Sequence, residues 1–148
     1  MSLPPDPLST IGLNLLLFSL SGVRFGVDVA QIEEMSAYDG KEAGDFFRFH
    51  EALGMGGKGV NYGTPTVLTI RTEDARKTRV MIDGPEDLIH VQIDELRPFP
   101  RIMAPFTLPK GMWAVVLRGE RKILLIDFLY LLRQRSEKMI KTRQGKTE

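Results

Sequence analysis

At 148 residues, with 20 Lys+Arg against 19 Asp+Glu and no cysteine, the chain has the size of one ordinary domain or two very small ones. The missing cysteine excludes disulfides, thiolate metal sites and thiol redox chemistry, and the charge balance argues against a dedicated nucleic-acid binder, which carries a basic excess. A chain of this length buries roughly 70% of its unfolded surface, so no metal or disulfide staple is required.

The segment Met1 to Pro7 is proline-rich, and residues 1–12 are expected to form a flexible lead-in. The apolar run Ile11 to Phe18 is far short of the ~20 residues needed to cross a bilayer. Asn14 interrupts it and no basic residue precedes it, so it is a poor signal peptide. A soluble, cytoplasmic protein without membrane insertion is expected.

Leu13 to Leu20 reads as a strand and Ser21-Gly22 as a turn. Val23 to Val29 then alternates, with Val23, Phe25, Val27 and Val29 on one face and Arg24 and Asp28 on the other, which is the period of a half-buried strand. Ile32 and Met35 extend the apolar pattern through Gln31, Glu33 and Glu34. Ala37 to Asp45 is polar, holds Gly40 and Gly44, and reads as a loop. Phe46 to Leu53 is ambiguous: Phe46, Phe49 and Leu53 have helical spacing, whereas Phe46-Phe47 also suits a strand end. Gly54 to Gly63 holds five glycines and is expected to be a flexible joint between two subdomains.

Thr66 to Thr72 is β-branched and strand-like, Glu73 to Lys77 is a charged turn, and Thr78 to Ile82 is the returning strand. After Asp83-Gly84-Pro85, the stretch Leu88 to Leu96 alternates, with Ile89, Val91 and Ile93 against His90, Gln92 and Asp94. Pro98, Pro100, Pro105 and Pro109 make the next segment irregular, since proline cannot donate to a ladder. Trp113 to Ile126 then reads as a hairpin around Arg118-Gly119-Glu120-Arg121-Lys122. Ile123 to Ile126 is apolar without alternation, so both of its faces should be buried. Phe128, Leu131 and Leu132 share one face of a helix, and residues 135–148 form a polar, basic tail. Many short strands separated by turn signals predict an all-β barrel or sandwich.

The chemistry-bearing residues point away from catalysis. His50-Glu51 opens like a zinc helix, but position 54 is Gly54, and two imidazoles one turn apart are required. His50 and His90 are the only histidines, so no metal site is expected. Gly54-Met55-Gly56-Gly57-Lys58-Gly59 lacks the Ser or Thr that follows the Gly-Lys of a phosphate loop. The acidic groups Asp83, Glu86, Asp87 and Asp94, Glu95 could do acid/base work only if a pocket split their pKa values, and beside turns they read as solvated charges. No Gly-x-Ser-x-Gly elbow is present. The basic tail reads as a solvated helix end rather than a phosphate-binding arm. No enzyme activity and no cofactor are expected.

The order of these segments resembles the CheW-like domain, the coupling module of bacterial chemotaxis signalling, from about Leu15 to Leu132. Leu15-Leu16-Leu17-Phe18-Ser19-Leu20 followed by Arg24-Phe25-Gly26-Val27-Asp28-Val29 is similar to the family's opening strand pair. Ile32-Glu33-Glu34-Met35 resembles the segment that follows it. Val80-Met81-Ile82-Asp83-Gly84, Ile93-Asp94-Glu95-Leu96-Arg97-Pro98 and Ile123-Leu124-Leu125-Ile126-Asp127 with Leu131-Leu132 match later steps. One departure is plain: Ser36 to Asp45 is too short for the family's usual N-L-R-G hairpin and lacks its motif, and Phe46-Phe47-Arg48-Phe49 stands where a V-D-L strand normally lies.

The resemblance implies two small SH3-like β-barrels packed together over residues 13–134, with a C-terminal helix and joined by the stretch 54–63. It implies a non-enzymatic adaptor that binds the regulatory domain of a chemotaxis histidine kinase, itself of the same fold, and the cytoplasmic tips of chemoreceptors. Ile32, Glu34 and Met35 are the expected partner-binding strip; the competing reading makes Ile32 and Met35 core and Glu34 merely solvated. The missing hairpin leaves open a diverged protein-interaction module without receptor coupling. A third alternative, from another class, is a small-barrel nucleic-acid binder that uses Phe46, Phe47 and Phe49 together with the basic tail.

Overall fold

The computed structural model describes residues 11–55, 60–73 and 77–134. The lead-in before residue 11, the tail 135–148, and the centres of the glycine-rich stretch and of the charged turn after Thr72 lie outside them. The chain runs through β1 (Gly12–Leu20), β2 (Val23–Asp28), a 3-10 turn (Val29–Gln31), β3 (Ile32–Ala37), β4 (Asp45–Arg48), α1 (Phe49–Ala52), β5 (Pro65–Ile70), β6 (Thr78–Asp83) and β7 (Asp87–Gln92). It continues through a second 3-10 turn (Ile93–Glu95), β8 (Leu96–Arg97), α2 (Ala104–Thr107) between two further 3-10 turns, β9 (Met112–Arg118) and β10 (Arg121–Ile126). A last helix, α3, occupies residues 128–134.

Six strands form one sheet in the order β7-β1-β2-β10-β9-β8, and four form the other in the order β3-β5-β6-β4. The two edges of the larger sheet, β7 and β8, are joined by the three-residue turn Ile93–Glu95, so the sheet curls on itself. Val91 of β7 and Leu96 of β8 accordingly meet in one interior with Leu15, Leu17, Ala114, Val116, Ile123 and Leu125. The hairpin turns suit this curvature. Ser21 and Gly22 both have positive φ (50° and 81°), the pattern of the tight turn whose twist matches its strands.

The second interior lies between the sheets. It takes Leu16, Phe18 and Leu20 of β1, Phe25 and Val27 of β2, Leu68, Ile70, Val80 and Ile82 of the smaller sheet, and Ile126, Phe128 and Leu131. Successive β1 residues therefore enter different cores, as the period of two requires. The same holds in β10, so the reading of Ile123 to Ile126 as buried on both faces is borne out. Phe49 stands at the centre: its ring lies 5.0 Å from Phe18 and 4.9 Å from Phe25, edge-on in both cases.

Several expectations are corrected. Val29 does not end a strand; Asp28 accepts the Ala30 N–H (2.9 Å) and turns the chain into the 3-10 turn that crosses between sheets. The alternating stretch Leu88 to Leu96 breaks at Ile93, which is exposed, because Glu95 accepts the Gln92 N–H (2.7 Å) and bends the chain from one edge of the barrel to the other. Ser36 and Ala37 belong to β3 and Asp45 to β4, leaving 38–44 as the loop. Phe46 to Leu53 proves to be both alternatives, a strand end followed by one helical turn. The stretch 54–63 connects α1 to β5, and β4 and β5 belong to the same four-stranded sheet. It is therefore not where the chain passes between subdomains; the crossings are Val29–Gln31 and the short link from Asp83 to Asp87.

Candidate functional site

Both crossings border one groove. Val29, Ile32 and Met35 form one wall, Pro85, Glu86, Asp87 and Leu88 form the other, and Leu16 lies at the floor. The open volume is about 450 Å³ and most of its lining is apolar.

Each wall is fixed by local hydrogen bonds. Gln31 donates its side-chain N–H to Asp127 (2.9 Å) and accepts the Phe128 N–H (2.9 Å). Asp127 also accepts the Tyr130 N–H (3.1 Å), which makes it the cap of α3. The first crossing is thus tied to the start of the last helix. On the other side, Asp83 accepts the Thr64 N–H (2.7 Å), Thr66 donates its hydroxyl to the Gly84 carbonyl, and the Glu86 N–H donates to the Leu17 carbonyl (2.8 Å).

A bulge in β3 decides how the expected strip is divided. Ile32 pairs with Ile70, but the register slips by one before Glu34, which pairs with Thr69, and Met35 pairs with Leu68. Directly opposed residues point to the same side of a sheet. Ile70 and Leu68 face the interior, so Ile32 and Met35, three residues apart, share the inner face. Met35 keeps 48% of its surface exposed at the groove mouth.

Glu34 lies on the outer face, in a cross-strand row with Thr69, Arg79 and Phe46. The structure brings Ile32 and Met35 together and turns Glu34 away from them. The competing reading fails for Met35, which is not core, and holds for Ile32, which packs against the interior. β3 is also an edge of its sheet, and charges such as Glu33 and Glu34 on an edge discourage unwanted strand pairing.

The remaining candidates are occupied structurally. His50 is buried; its Nδ1 lies 2.8 Å from the Tyr62 hydroxyl, which also accepts the His50 main-chain N–H (3.1 Å). Burial raises the Tyr62 pKa above its ordinary value. His90 contacts Asn14 (Nδ1 to Oδ1, 2.9 Å) across β7 and β1. Glu95 accepts from the Gln92 N–H and from Arg118 (3.3 Å), which together hold its carboxyl below the ordinary glutamate range.

No group of three or more metal-ligating side chains occurs among the described residues, and no helix among them is long and apolar enough to cross a membrane. The base-stacking part of the nucleic-acid reading is overturned: Phe47 and Phe49 are buried, and stacking requires open ring faces; the basic tail 135–148 lies outside the described residues. Phe46, the third ring, is flanked by Arg48, Arg79 and Tyr38.

The groove and the parity set by the bulge were the parts that sequence reasoning missed. Pro85 to Leu88 showed only as a turn, two acidic residues and the start of an alternating stretch, none of which marks a groove wall, and the exposed β3 sequence carries no alternation to read.

Comparison with known proteins gives a consistent picture. The chain is 24% identical over 141 residues to a protein of Klebsiella aerogenes named chemotaxis protein CheW, covering 83% of each. Its fold is similar to the crystal structure of the scaffolding protein TtCheW from Thermoanaerobacter tengcongensis, with a TM-score of 0.61 at 12% identity over 79% of this chain and 90% of that one. No family model matches the chain.

Proposed function

We propose that the chain, whose all-β fold and likeness to chemotaxis proteins support a CheW-like domain, is a non-enzymatic, cytoplasmic adaptor of a chemotaxis signalling assembly. Residues 13–134 form the adaptor unit. Its partners are the like-folded regulatory domain of a chemotaxis histidine kinase and the cytoplasmic tip of a chemoreceptor. The observation that supports this reading is the bulge in β3, which leaves Ile32 and Met35 on the inner face and Glu34 on the outer one. An adaptor needs two surfaces that do not compete.

In this reading the outer face and free edge of β3, with Glu34, dock the kinase domain. The groove between the sheets, with Ile32 and Met35, receives the receptor. The mechanism is geometric: binding both partners at once holds the kinase at a fixed place beside the receptor. A stable interface of this kind buries roughly 1,200–2,000 Å² in total.

The test is calorimetric titration of the protein with the kinase regulatory domain and, separately, with the receptor tip. Glu34→Arg should weaken kinase binding at an unchanged melting temperature, and it should leave receptor binding unaffected. If the variant unfolds instead, Glu34 is structural; if kinase binding is unchanged, the outer face is not the docking surface. A second reading, a diverged interaction module without receptor coupling, is favoured by the short loop 38–44 in place of the family's hairpin. Saturable binding to the kinase domain with none to the receptor tip would select it.

A further inference from the structure

The face of the smaller sheet that turns away from the interior is itself covered. Leu68, Ile70, Val80 and Ile82 point inward. Val67 of β5 and Met81 of β6 alternate with them and oppose each other in the ladder, so they point outward. Both are nevertheless only 4% exposed. Loop 38–44 accounts for this. It leaves β3 at one edge of the sheet and enters β4 at the other, so it has to pass β5 and β6. Tyr38 donates its main-chain N–H to the Pro65 carbonyl (3.1 Å), which prolongs the β3–β5 ladder. Tyr38 and Phe46 thus lie on edges that a flat sheet would hold about 14 Å apart, yet their rings are 5.8 Å from each other. The rings converge over the outward face.

Three side chains fasten the loop. Tyr38 donates its hydroxyl to Glu42 (2.9 Å), and Arg48 of β4 donates to the same carboxylate oxygen. Arg79 of β6 donates to the Ala43 carbonyl (2.6 Å). Glu42 is the point where the first two meet. Arg48 also has Glu51 as a partner (3.6 Å), so it keeps its place without Glu42. Gly40 and Gly44, on either side of Lys41-Glu42-Ala43, both have positive φ (85° and 81°), a backbone that glycine adopts without strain. We propose that loop 38–44 is a latched strap: Glu42 fastens it across the smaller sheet, and its release uncovers Val67 and Met81 without unfolding the domain. Residues 39–44 are all exposed, and none of residues 38–44 enters either interior. Segments with so few buried contacts open at less cost than the core, and an exposed ion pair is a weak, salt-screened fastening. The device does not depend on which partner uses this face. Arg79 and Phe46 share a cross-strand row with Glu34, so a partner there meets a different surface when the strap is open.

The test is oxidation of the full-length protein by dilute hydrogen peroxide, read methionine by methionine by mass spectrometry. Met35, with 48% of its surface exposed, is the internal reference, and under a closed strap Met81 should oxidise far more slowly. Glu42→Gln removes the charge and keeps an acceptor for Tyr38. It should raise the Met81 rate relative to Met35 by about two- to fivefold, the worth of an exposed ion pair where exposure follows the population of the open form. The melting temperature should not change. High salt should produce the same rise in the unaltered protein and little more in the variant. Tryptic cleavage after Lys41, scaled to a free peptide of the same sequence because residue 42 follows the cut bond, should rise in parallel.

Equal Met81 rates in the unaltered protein and the variant, at low and at high salt, would overturn the latch. Met81 oxidation that starts only at urea concentrations unfolding the whole chain would overturn the strap, because cover and domain would then be one unit. A melting temperature that falls in Glu42→Gln in proportion to the faster oxidation would do the same. Faster cleavage after Lys41 with Met81 still protected would show a loop that frays without uncovering the sheet, and it too would overturn the proposal.

Discussion

Met35→Ala separates a docking residue from a packing residue. Met35 lies at the groove mouth with 48% of its surface exposed, so folding has buried only about half of what the side chain can bury. Full burial of a methionine is worth about 1.5–3 kcal/mol. A partner that covers the exposed half should therefore gain roughly 1 kcal/mol from this residue, equivalent to a loss of about fivefold in affinity on truncation to alanine. The apolar burial already present contributes a similar amount to stability. The melting temperature should then fall by no more than about 4–8 °C, the shift that about 1 kcal/mol produces in a domain of 60–100 residues, and by less in this longer chain. The assay is titration calorimetry with the receptor tip, paired with thermal melts of both proteins. An unchanged dissociation constant would refute the assignment of the groove. A stability loss of several kcal/mol would refute the burial argument, because it would place Met35 in the core. Ile32→Ala provides the contrast: its side chain packs against the interior, and it should cost stability first.

Gly26 of β2 lies between Leu17 of β1 and Leu125 of β10 in the ladder, and a Cβ there would stand 3.2 Å from both Ile123 Cγ2 and Leu125 Cδ2. Gly26→Val overfills the larger barrel and should cost about 1–3 kcal/mol, read as a lower urea midpoint at unchanged slope; a neutral result would show that the barrel interior can relax. Glu95 is held below its ordinary pKa, chiefly by the Gln92 N–H and then by Arg118. A depressed folded-state pKa gives stability that is present above the unfolded glutamate pKa and is lost as pH falls through the folded value. Acid should therefore loosen the turn that closes the larger barrel, and Glu95→Gln should flatten that part of the stability–pH curve; a curve of unchanged shape would show that the carboxylate is irrelevant to closure.

The parts of the fold that were legible in sequence are those where burial on two sides leaves a pattern. Ile123 to Ile126 has apolar residues throughout because it separates two cores, and Leu15 to Phe18 does so for the same reason. Val23 to Asp28 alternates, and Phe128 and Leu131 have helical spacing. The parts that were not legible depend on single backbone events. The slip in β3 reverses the facing of Glu34 and Met35 relative to Ile32, yet Ile32-Glu33-Glu34-Met35-Ser36-Ala37 lies mostly in solvent, where side-chain type carries little information about facing. The break at Ile93 follows from a hydrogen bond between Glu95 and the Gln92 main chain, which alternation of apolar residues cannot report. The glycine-rich stretch misled for a related reason: glycine content marks a permissive backbone but not which two strands it connects.

The sharing of strands between two cores bears directly on how such a protein works. β1 sends Leu15 and Leu17 into the larger barrel and Leu16, Phe18 and Leu20 into the space between the sheets. Swinging one sheet against the other would pull Phe49, which follows β4, away from Phe18, Phe25 and Phe128 on the larger sheet's side and expose several aromatic faces at once, at a cost of several kcal/mol. The inter-sheet groove is also pinned from both sides, by Gln31 on Asp127 and Phe128 and by Glu86 on Leu17. A groove built this way does not open and close to signal. On the proposed adaptor reading it would transmit position: a partner seated between the sheets and another on the outer face of β3 would be held at a separation set by one bulged strand.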